Sequence, residues 1–304
     1  MRLIDQSVTF IGFGNYQGTE HAIKLIEIAA RNCYQSKPKD SYEDSIKFVK
    51  QLAKNGHTST FEHVQISYLL TEEDFRQLWS RITAIGKYRW FDVDYHEDGI
   101  ILSGNFRAWY ETIQTFMLYD FVFNYDFSDC FRQLIHEDMA PLFEVERELV
   151  PMPIFKSKLL YQNELPKDLY RLVFKVVCDR ATAMEFNRHK TISISQESQR
   201  YVNYAKKGFT FIDIPELTSK EDTRNMLLDS LSYDVETYEK LIEKGLQPQF
   251  ARFILPNLTK VSTIYSGLLP FWEHFLKMRL DEHAHPVIRR LACQIKNFIE
   301  KAAI

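Results

Sequence analysis

The sequence has few cysteines, and their spacing argues against two common structural uses. Four cysteines, Cys33, Cys130, Cys178 and Cys293, are spread over 304 residues, and none forms a CxxC pair. Zinc knuckles and disulfide frameworks need closely spaced or paired cysteines, so neither is indicated. Dispersed thiols of this kind are typical of a reducing compartment, and we expect a cytoplasmic location.

The sequence also lacks long apolar runs and an excess of positive charge. No run reaches the roughly 18 residues of a membrane-spanning helix, and the N-terminal residues do not resemble a signal peptide. The formal net charge is -3, which argues against a surface built for nucleic acid. With 45% apolar residues and 14% aromatics, the chain has ample material for a core. We therefore expect no membrane and no nucleic-acid partner.

Hydrophobic periodicity predicts a chain with both helices and strands. Apolar spacing predicts helices over 19–33, 41–54 and 222–244, with Thr19 and Ser41 as N-caps of the first two. A further helical stretch is predicted over 261–300, broken at Pro286.

Two segments carry strand patterns, and one long segment differs in composition. Alternation predicts a strand within 57–70, and the apolar residues Leu172–Val177 predict another that leads into a helix near Asp179. The segment 71–168 is aromatic and acidic, and we interpret it as an inserted, mainly helical subdomain.

The segment 188–201, RHKTISISQESQRY, has the composition of an anion-binding site. Arg188 and Arg200 carry planar guanidinium groups suited to phosphate, and Lys190 adds a point charge. Neutral donors surround them: Ser193, Ser195, Gln196, Ser198 and Gln199. Taken alone, such a cluster is also typical of a solvated basic turn.

Five blocks resemble the flavin-dependent thymidylate synthases (the ThyX family), and they occur in the family's order. They are AARNCY (29–34), GHTSTFEH (56–63), CDRATAMEFNRHKTISISQESQRY (178–201), QPQFARFILP (247–256) and HFLKMRLDEHAHPVIRRLA (274–292). The resemblance implies an α+β fold with a central, mostly antiparallel sheet flanked by long helices. It implies one catalytic domain over 1–304, enlarged by the helical insertion at about 71–168.

The resemblance also implies an activity and its cofactors. Members of the family use FAD, reduced by NADPH, to convert dUMP to dTMP with a one-carbon unit from methylenetetrahydrofolate, without a cysteine nucleophile. Such chemistry requires a protein that positions anionic ligands, for which arginines and hydroxyls are suited. The small molecules dUMP and folate would be its partners, and a homotetramer with active sites shared between subunits is expected.

Site residues follow from the matching positions. Arg279, in the HFLKMR block, is the expected catalytic residue, because a fixed cation beside the uracil would stabilise developing negative charge. The dUMP-binding residues implied are Glu185, Arg188, Gln196, Glu197, Ser198, Gln199, Arg200, Arg252 and Arg279. The FAD-binding residues implied are His57, Ser59, Arg188, His189, Lys190, Gln196 and His274.

The chain departs from the family pattern at three positions. Lys190 replaces the final arginine of the family's Arg-His-Arg signature, and Leu268 and Pro270 stand where the family has an Asn and an Arg that contact FAD. The segment SGNFRAWYETI (103–113) resembles that missing family segment, so we hypothesise that Asn105 and Arg107 contact the flavin instead. The other interpretation is a turn and helix cap at Gly104 and Asn105.

The sequence does not predict a metal site, and it leaves two alternative functions open. His57, His63, His283 and His285 do not have standard ligand spacing, so no metal is expected. The first alternative function is a nucleotide- or single-stranded nucleic-acid-binding module that uses the same Arg, Ser and Tyr residues. The second is a degenerate family member that holds FAD or dUMP without completing methylation.

Overall fold

A computed structural model describes residues 1–38, 41–123 and 157–302 of the chain. Of the helix residues 116–123, only the backbone is described. Cys130 and the part of the predicted insertion from 124 to 156 lie outside the described residues. No helix within the described ranges is both long and apolar enough to cross a membrane.

The described strands are numbered β1 to β10 in chain order. They are β1 Arg2–Ile4, β2 Ser7–Phe13, β3 Gln65–Leu70, β4 Phe91–His96, β5 Gly99–Asn105, β6 Ser157–Leu160, β7 Arg171–Asp179, β8 Ser193–Gln196, β9 Thr210–Ile212 and β10 Lys260–Leu268.

The described α-helices are numbered α1 to α11 in chain order. They are α1 Thr19–Tyr34, α2 Tyr42–Lys54, α3 Glu72–Ala84, α4 Phe106–Phe123, α5 Arg180–Phe186, α6 Tyr204–Lys207, α7 Pro215–Thr218, α8 Glu221–Glu243, α9 Pro248–Ala251, α10 Leu269–Arg279 and α11 Pro286–Lys301.

The strands form two four-stranded sheets and one parallel pair. One sheet has the order β2-β7-β10-β8, the other has the order β4-β5-β3-β6, and β1 pairs with β9 in parallel. β8 is antiparallel to β10, and β3 is antiparallel to both β5 and β6. The described chain therefore combines helices with antiparallel sheets, which confirms the α+β class. The more specific arrangement that the resemblance implied, one central sheet flanked by long helices, stays a prediction.

The described chain separates into two compact units. The first unit comprises Met1–Gly12, Ala29–Lys37 and Leu172–Ile304, and the second comprises Phe13–Ile28 and Pro38–Arg171. The described parts of the predicted insertion, 71–123 and 157–168, fall within the second unit, where their strands share a sheet with β3. The described residues thus pack in two units, and a single catalytic domain over 1–304 stays a prediction.

Stacked aromatic rings build the core of the first unit. The Phe186 ring lies 4.0 Å from that of Tyr265 and 4.3 Å from that of Phe275, measured between centroids. Phe174 meets Trp272 edge-on at 4.9 Å, and the Trp272 indole donates to the Leu172 carbonyl at 3.2 Å. These five side chains are fully buried. They hold α5 and α10 against β7 and β10, and both helices carry candidate site residues.

Several predicted elements are confirmed, with small shifts at their ends. α2 begins after Ser41, whose hydroxyl accepts from the Asp44 amide at 3.1 Å as an N-cap. β7 leads directly into α5, which Asp179 caps by accepting from the Thr182 amide at 2.8 Å. The predicted break at Pro286 is also present, because α11 begins there.

The prediction of helix over 261–268 was wrong, because these residues form β10. Val261, Ile264, Tyr265 and Leu268 follow a spacing of i, i+3, i+4 and i+7, which is also the helical pattern. Nearly the whole strand is buried, so its apolar residues do not alternate with exposed ones. A strand of this kind is not distinguished from a helix by periodicity.

The prediction that 71–168 is mainly helical missed three strands. β4 and β5 form a hairpin in which His96 pairs with Gly99, and β6 pairs with β3. Gly99 has φ +150°, and an added Cβ would lie 2.5 Å from the Leu70 carbonyl oxygen. The turn therefore needs glycine at this position. Aromatic composition is common to buried helices and strands, so composition alone did not reveal the hairpin.

Candidate functional site

Arg279, the last residue of α10, is held at all three guanidinium nitrogens within the first unit. Its Nε donates to His189 Nε2 at 3.0 Å, and its Nη2 donates to the Glu185 carbonyl at 3.1 Å. Its Nη1 lies 3.4 Å from Glu185 Oε2, and the side chain is 16% exposed. The structure thus brings together three residues that the sequence predicted for the site, with the cation fixed in one orientation.

The turn after α5 explains how Glu185 and His189 reach the same arginine. The Arg188 amide donates to the Glu185 carbonyl at 3.3 Å, and the His189 amide donates to the Phe186 carbonyl at 3.1 Å. These two hydrogen bonds form a tight turn directly after the end of α5. Because Phe186 is anchored in the aromatic core, the turn is fixed relative to α10.

His189 is neutral at physiological pH. Burial first, and then the neighbouring Arg279, His274 and Arg188, lower its pKa from 6.5 to about 4. A neutral imidazole can accept a hydrogen bond at Nε2, which matches the donation from Arg279. The ring is packed edge-on against Phe275 at 4.9 Å between centroids.

Three cations of the predicted anion site are exposed to solvent. Arg188, Lys190 and Arg200 are exposed, and none of them forms an ion pair with another described residue. The Arg200 guanidinium lies 5.6 Å from the centre of the Tyr201 ring. Arg252 is half-buried beside the Phe253 ring at 5.3 Å. These side chains offer positive charge that carboxylates of the described residues have not neutralised.

The segment after β8 forms a turn that presents Arg200. The Ser198 carbonyl accepts from the amides of Tyr201 and Val202, both at 3.1 Å, and its hydroxyl accepts from the Arg200 amide at 3.4 Å. Gln199 is 4% exposed, and its Nε2 has no hydrogen-bond partner among the described residues. An unsatisfied buried donor beside free cations is suited to a polar ligand.

Two other predicted ligand residues have internal partners. Gln196 Oε1 accepts from Asn187 Nδ2 at 3.0 Å, and Asn187 Oδ1 in turn accepts from the Tyr265 hydroxyl at 2.9 Å. The Glu197 carboxylate is paired with Lys260, its Oε2 lying 2.6 Å from Nζ. The remaining predicted residue of this unit, His274, is exposed on α10, its ring centroid 6.4 Å from that of His189.

Four predicted flavin residues lie in the second unit. His57 and Ser59 are exposed at the start of a 3-10 helix, Thr58–His63. Asn105 Oδ1 accepts from the Ala108 amide at 2.9 Å and so caps the first turn of α4. This is the cap that the alternative interpretation of the segment proposed.

Arg107 is engaged by two carboxylates of the second unit. Its Nη1 lies 2.7 Å from Glu62 Oε1, and its Nε lies 2.6 Å from Glu111 Oε1. The Arg107 charge is therefore compensated within the protein, in contrast to the charges of Arg188 and Lys190. A flavin contact by Asn105 and Arg107 stays a prediction.

Leu268 and Pro270 have structural roles at the junction of β10 and α10. Leu268 ends the strand and is 4% exposed, and Pro270 lies in the first turn of the helix, where its missing N–H costs nothing. Neither side chain can donate a hydrogen bond to a cofactor.

The four histidines named in the sequence are divided between the two units. His57 and His63 belong to the second unit, and His283 and His285 belong to the first. Across the described ranges, no group of three or more His, Cys, Asp or Glu side chains could hold a metal ion.

Two residues that contact the candidate site were missed in the sequence. Lys260 pairs with Glu197 from 63 positions away, and Asn32 donates to the carbonyls of both Ser195 and Ser262 at 2.9 Å. A lysine at the start of a strand is ordinary, and no local pattern around Lys260 signals its contact. Asn32 lies in the AARNCY block, but that resemblance did not indicate which groups its side chain contacts.

Comparison with known proteins identifies relatives for most of the chain. The family model described as "Thymidylate synthase complementing protein" matches residues 16–78 and 161–303. The segment between these matches contains the β4–β5 hairpin.

Individual relatives share a common name. The flavin-dependent thymidylate synthase of Geobacter sulfurreducens is 29% identical over 124 residues, covering 41% of this chain and 53% of the relative. Those of Mycobacterium tuberculosis and Mycobacterium marinum are each 34% identical, covering 38% of this chain and 51% of the relative. The chain thus spans about half the length of the curated relatives it matches.

Proposed function

Because the chain belongs to the thymidylate synthase complementing protein family, we propose that it is a flavin-dependent thymidylate synthase. The reaction would be the reductive methylation of dUMP to dTMP, with methylenetetrahydrofolate as one-carbon donor and NADPH as reductant. The observation that carries this proposal is the orientation of Arg279 by Glu185 and neutral His189, beside the exposed cations of 188–200.

The first unit has the charge and donors that FAD requires. Arg188 and Lys190 are exposed cations without carboxylate partners among the described residues, and a dinucleotide pyrophosphate needs such charges. His189 and His274 add ring edges next to them. When bound, FAD would supply the reducing equivalents for the methylation. The protein's own part is to hold the anionic cofactor through these side chains.

The phosphate of dUMP is assigned to the turn after β8. Arg200 offers a guanidinium fork free of carboxylates within the described residues, and Ser198 and Arg252 would add a hydroxyl and a second cation. The buried, unpaired amide of Gln199 would donate to a pyrimidine carbonyl. Phosphate contacts of this kind fix the position of the base relative to the reactive groups.

Arg279 would stabilise the negative charge that develops on the pyrimidine as C5 becomes nucleophilic. A cation lowers a barrier most when it is already oriented, because no reorganisation is then needed during the reaction. The contacts to His189 and Glu185 supply that orientation. The neutral state of His189 lets it serve as an acceptor rather than a competing cation.

The assay that tests the proposal is NADPH oxidation with each component omitted in turn. We expect oxidation that requires dUMP, FAD and methylenetetrahydrofolate, together with formation of dTMP. A protein that is yellow and oxidises NADPH but forms no dTMP would be the degenerate member. A colourless protein that binds single-stranded nucleic acid would be the binding module, and the proposal would be abandoned.

We also propose that the protein acts in the cytoplasm as a homotetramer with active sites shared between subunits, as the family resemblance implies. Light scattering coupled to size-exclusion chromatography tests the assembly. A monomer that is fully active would contradict shared sites.

A further inference from the structure

Glu197 lies in the middle of the predicted nucleotide-binding segment, but its carboxylate is turned into the protein. The side chain is 1% exposed. Its Oε2 accepts from Lys260 Nζ at 2.6 Å and from the Ser262 amide at 3.1 Å, and its Oε1 accepts from the Tyr204 hydroxyl at 3.0 Å. Three protein donors satisfy both oxygens, so little capacity remains for a ligand.

The Glu197 carboxylate also accepts a backbone hydrogen bond directly after the end of β8. Gln196 is the last residue of the strand and pairs with Thr263. At the next position, the Glu197 amide donates to the Ser262 carbonyl at 2.8 Å, as a strand would. The Ser262 amide donates back to the Glu197 side chain, which takes the role of a backbone carbonyl. The main chain is thereby free to leave the sheet.

The positions of the residues after Glu197 depend on where the main chain leaves β8. The Ser198 amide donates to the Cys33 carbonyl at 2.9 Å, and Ser198 then organises the turn that carries Gln199 and Arg200. A different exit from β8 would shift the Arg200 guanidinium and the Ser198 hydroxyl together.

The ion pair between Lys260 and Glu197 also balances the charges of the two side chains. Lys260 is 17% exposed, and pairing with Glu197 compensates its charge near the nucleotide segment. Burial raises the pKa of the Tyr204 phenol, and the neighbouring Glu197 carboxylate raises it further, so the phenol keeps its proton and donates. The buried group is therefore a compensated carboxylate with a fixed set of donors.

We propose that Glu197 is a positioning residue, whose buried carboxylate sets the exit of the chain from β8 and so places Ser198 and Arg200 for the nucleotide phosphate. This inference rests on the proposed function, and it replaces the expectation that Glu197 contacts dUMP. Glu197 acts through Lys260, Ser262 and Tyr204 and does not touch the ligand.

The test compares Glu197→Gln with Glu216→Gln, which removes the carboxylate of an exposed ion pair with Arg290 in the same unit. The amide of glutamine leaves fewer acceptor sites for three donors, so the turn should loosen. We expect hydrogen exchange at the amides of 198–202 in the ligand-free protein to rise about tenfold or more, as for a lost charge-assisted hydrogen bond. The Kd and KM for dUMP should rise by a similar factor, with kcat at saturating dUMP within about twofold of the parent. Glu216→Gln should change none of these.

Each other outcome contradicts the inference. Weaker dUMP binding with unchanged hydrogen exchange would mean that Glu197 contacts the nucleotide directly, and a loss in kcat alone would mean a chemical role. If Glu197→Gln does not fold, Lys260→Met takes its place: it removes the charged donor to the Glu197 carboxylate and leaves the Ser262 and Tyr204 bonds, so a smaller rise in exchange at 198–202 is expected. Unchanged exchange in that variant would also contradict the positioning role of Glu197. If the parent protein does not bind dUMP, the proposed function fails, and the exchange measurement alone decides the role of Glu197.

Discussion

At the scale of single residues, the orientation of Arg279 depends on contacts far apart in sequence. His189 and Glu185 lie 90 and 94 positions before it along the chain. Together they account for Nε, Nη1 and Nη2, so the guanidinium cannot turn toward solvent without losing several bonds. The consequence is a cation whose position is set before any substrate arrives.

Replacing Arg279 by Ala should lower dTMP formation by about 100-fold or more, the scale of one preorganised donor. The flavin absorbance spectrum should be retained, because the core residues around α10 are unchanged. Arg279→Lys keeps the charge but not the planar fork, and we expect an intermediate rate. Arg290→Ala, which removes an exposed arginine, is the matched control. Near-normal turnover of Arg279→Ala at saturating dUMP would remove this residue from catalysis.

Arg200→Ala should weaken dUMP binding by about 1.5–3 kcal/mol, the range for a charge-assisted hydrogen bond. Arg200→Lys should restore part of that loss, since a point charge cannot reproduce the fork. The change in flavin absorbance on titration with dUMP measures both affinities at one fixed salt concentration. Equal affinity of the Lys variant and the parent would show that Arg200 contributes only general charge.

The residue types of the anion segment were predictable, but their individual roles were not. Clustered arginines and hydroxyls indicated phosphate, and Arg188 and Arg200 are indeed exposed and without carboxylate partners in the described chain. Glu197 has the same local sequence context. Whether its carboxylate faces a ligand or Lys260 depends on a strand that lies 63 positions away, which no local pattern encodes.

At the scale of elements, the β4–β5 hairpin depends on the backbone conformation of its turn as well as on the hydrophobic pattern of its strands. Gly99 in its turn has φ +150°. A Cβ added at this position would lie 2.5 Å from the Leu70 carbonyl oxygen. The helices with clear caps, such as α2 and α5, were predictable because the capping side chains act locally. β10 was not predictable as a strand, because nearly all of its residues are buried and apolar residues therefore do not alternate with exposed ones.

Gly99→Ala should destabilise the second unit more than Gly86→Ala does. Both positions have positive φ, but nothing lies within 4 Å of an added Cβ at Gly86. Gly86→Ala should therefore cost only the conformational penalty, about 1–2 kcal/mol, and Gly99→Ala should add the clash with the β3 backbone. Urea unfolding followed by tryptophan fluorescence gives the two free energies. Equal losses would show that the hairpin moves to accommodate the methyl group.

At the scale of the whole molecule, each unit contains a histidine whose charging opposes folding. In the second unit, burial and the neighbouring Arg171 lower the pKa of His63 to about 3. In the first unit, burial and neighbouring cations lower the pKa of His189 to about 4. The family match at 16–78 and 161–303 includes both residues, whereas the β4–β5 hairpin lies between the two matched ranges and was not predicted.

These two pKa values predict that the folded protein loses stability in mild acid. An unfolded histidine takes up a proton near pH 6.5, but His63 and His189 stay neutral in the folded state until about pH 3 and about pH 4. Between these limits the unfolded state binds more protons, so the free energy of unfolding decreases as the pH falls below about 6.5. The urea midpoint should therefore drop steadily from pH 7 to pH 5. His63→Asn should make this dependence shallower, whereas His283→Asn, at a side chain that is 88% exposed, should leave it unchanged. A parent midpoint that stays constant over this range would mean that folding does not lower the pKa values of His63 and His189.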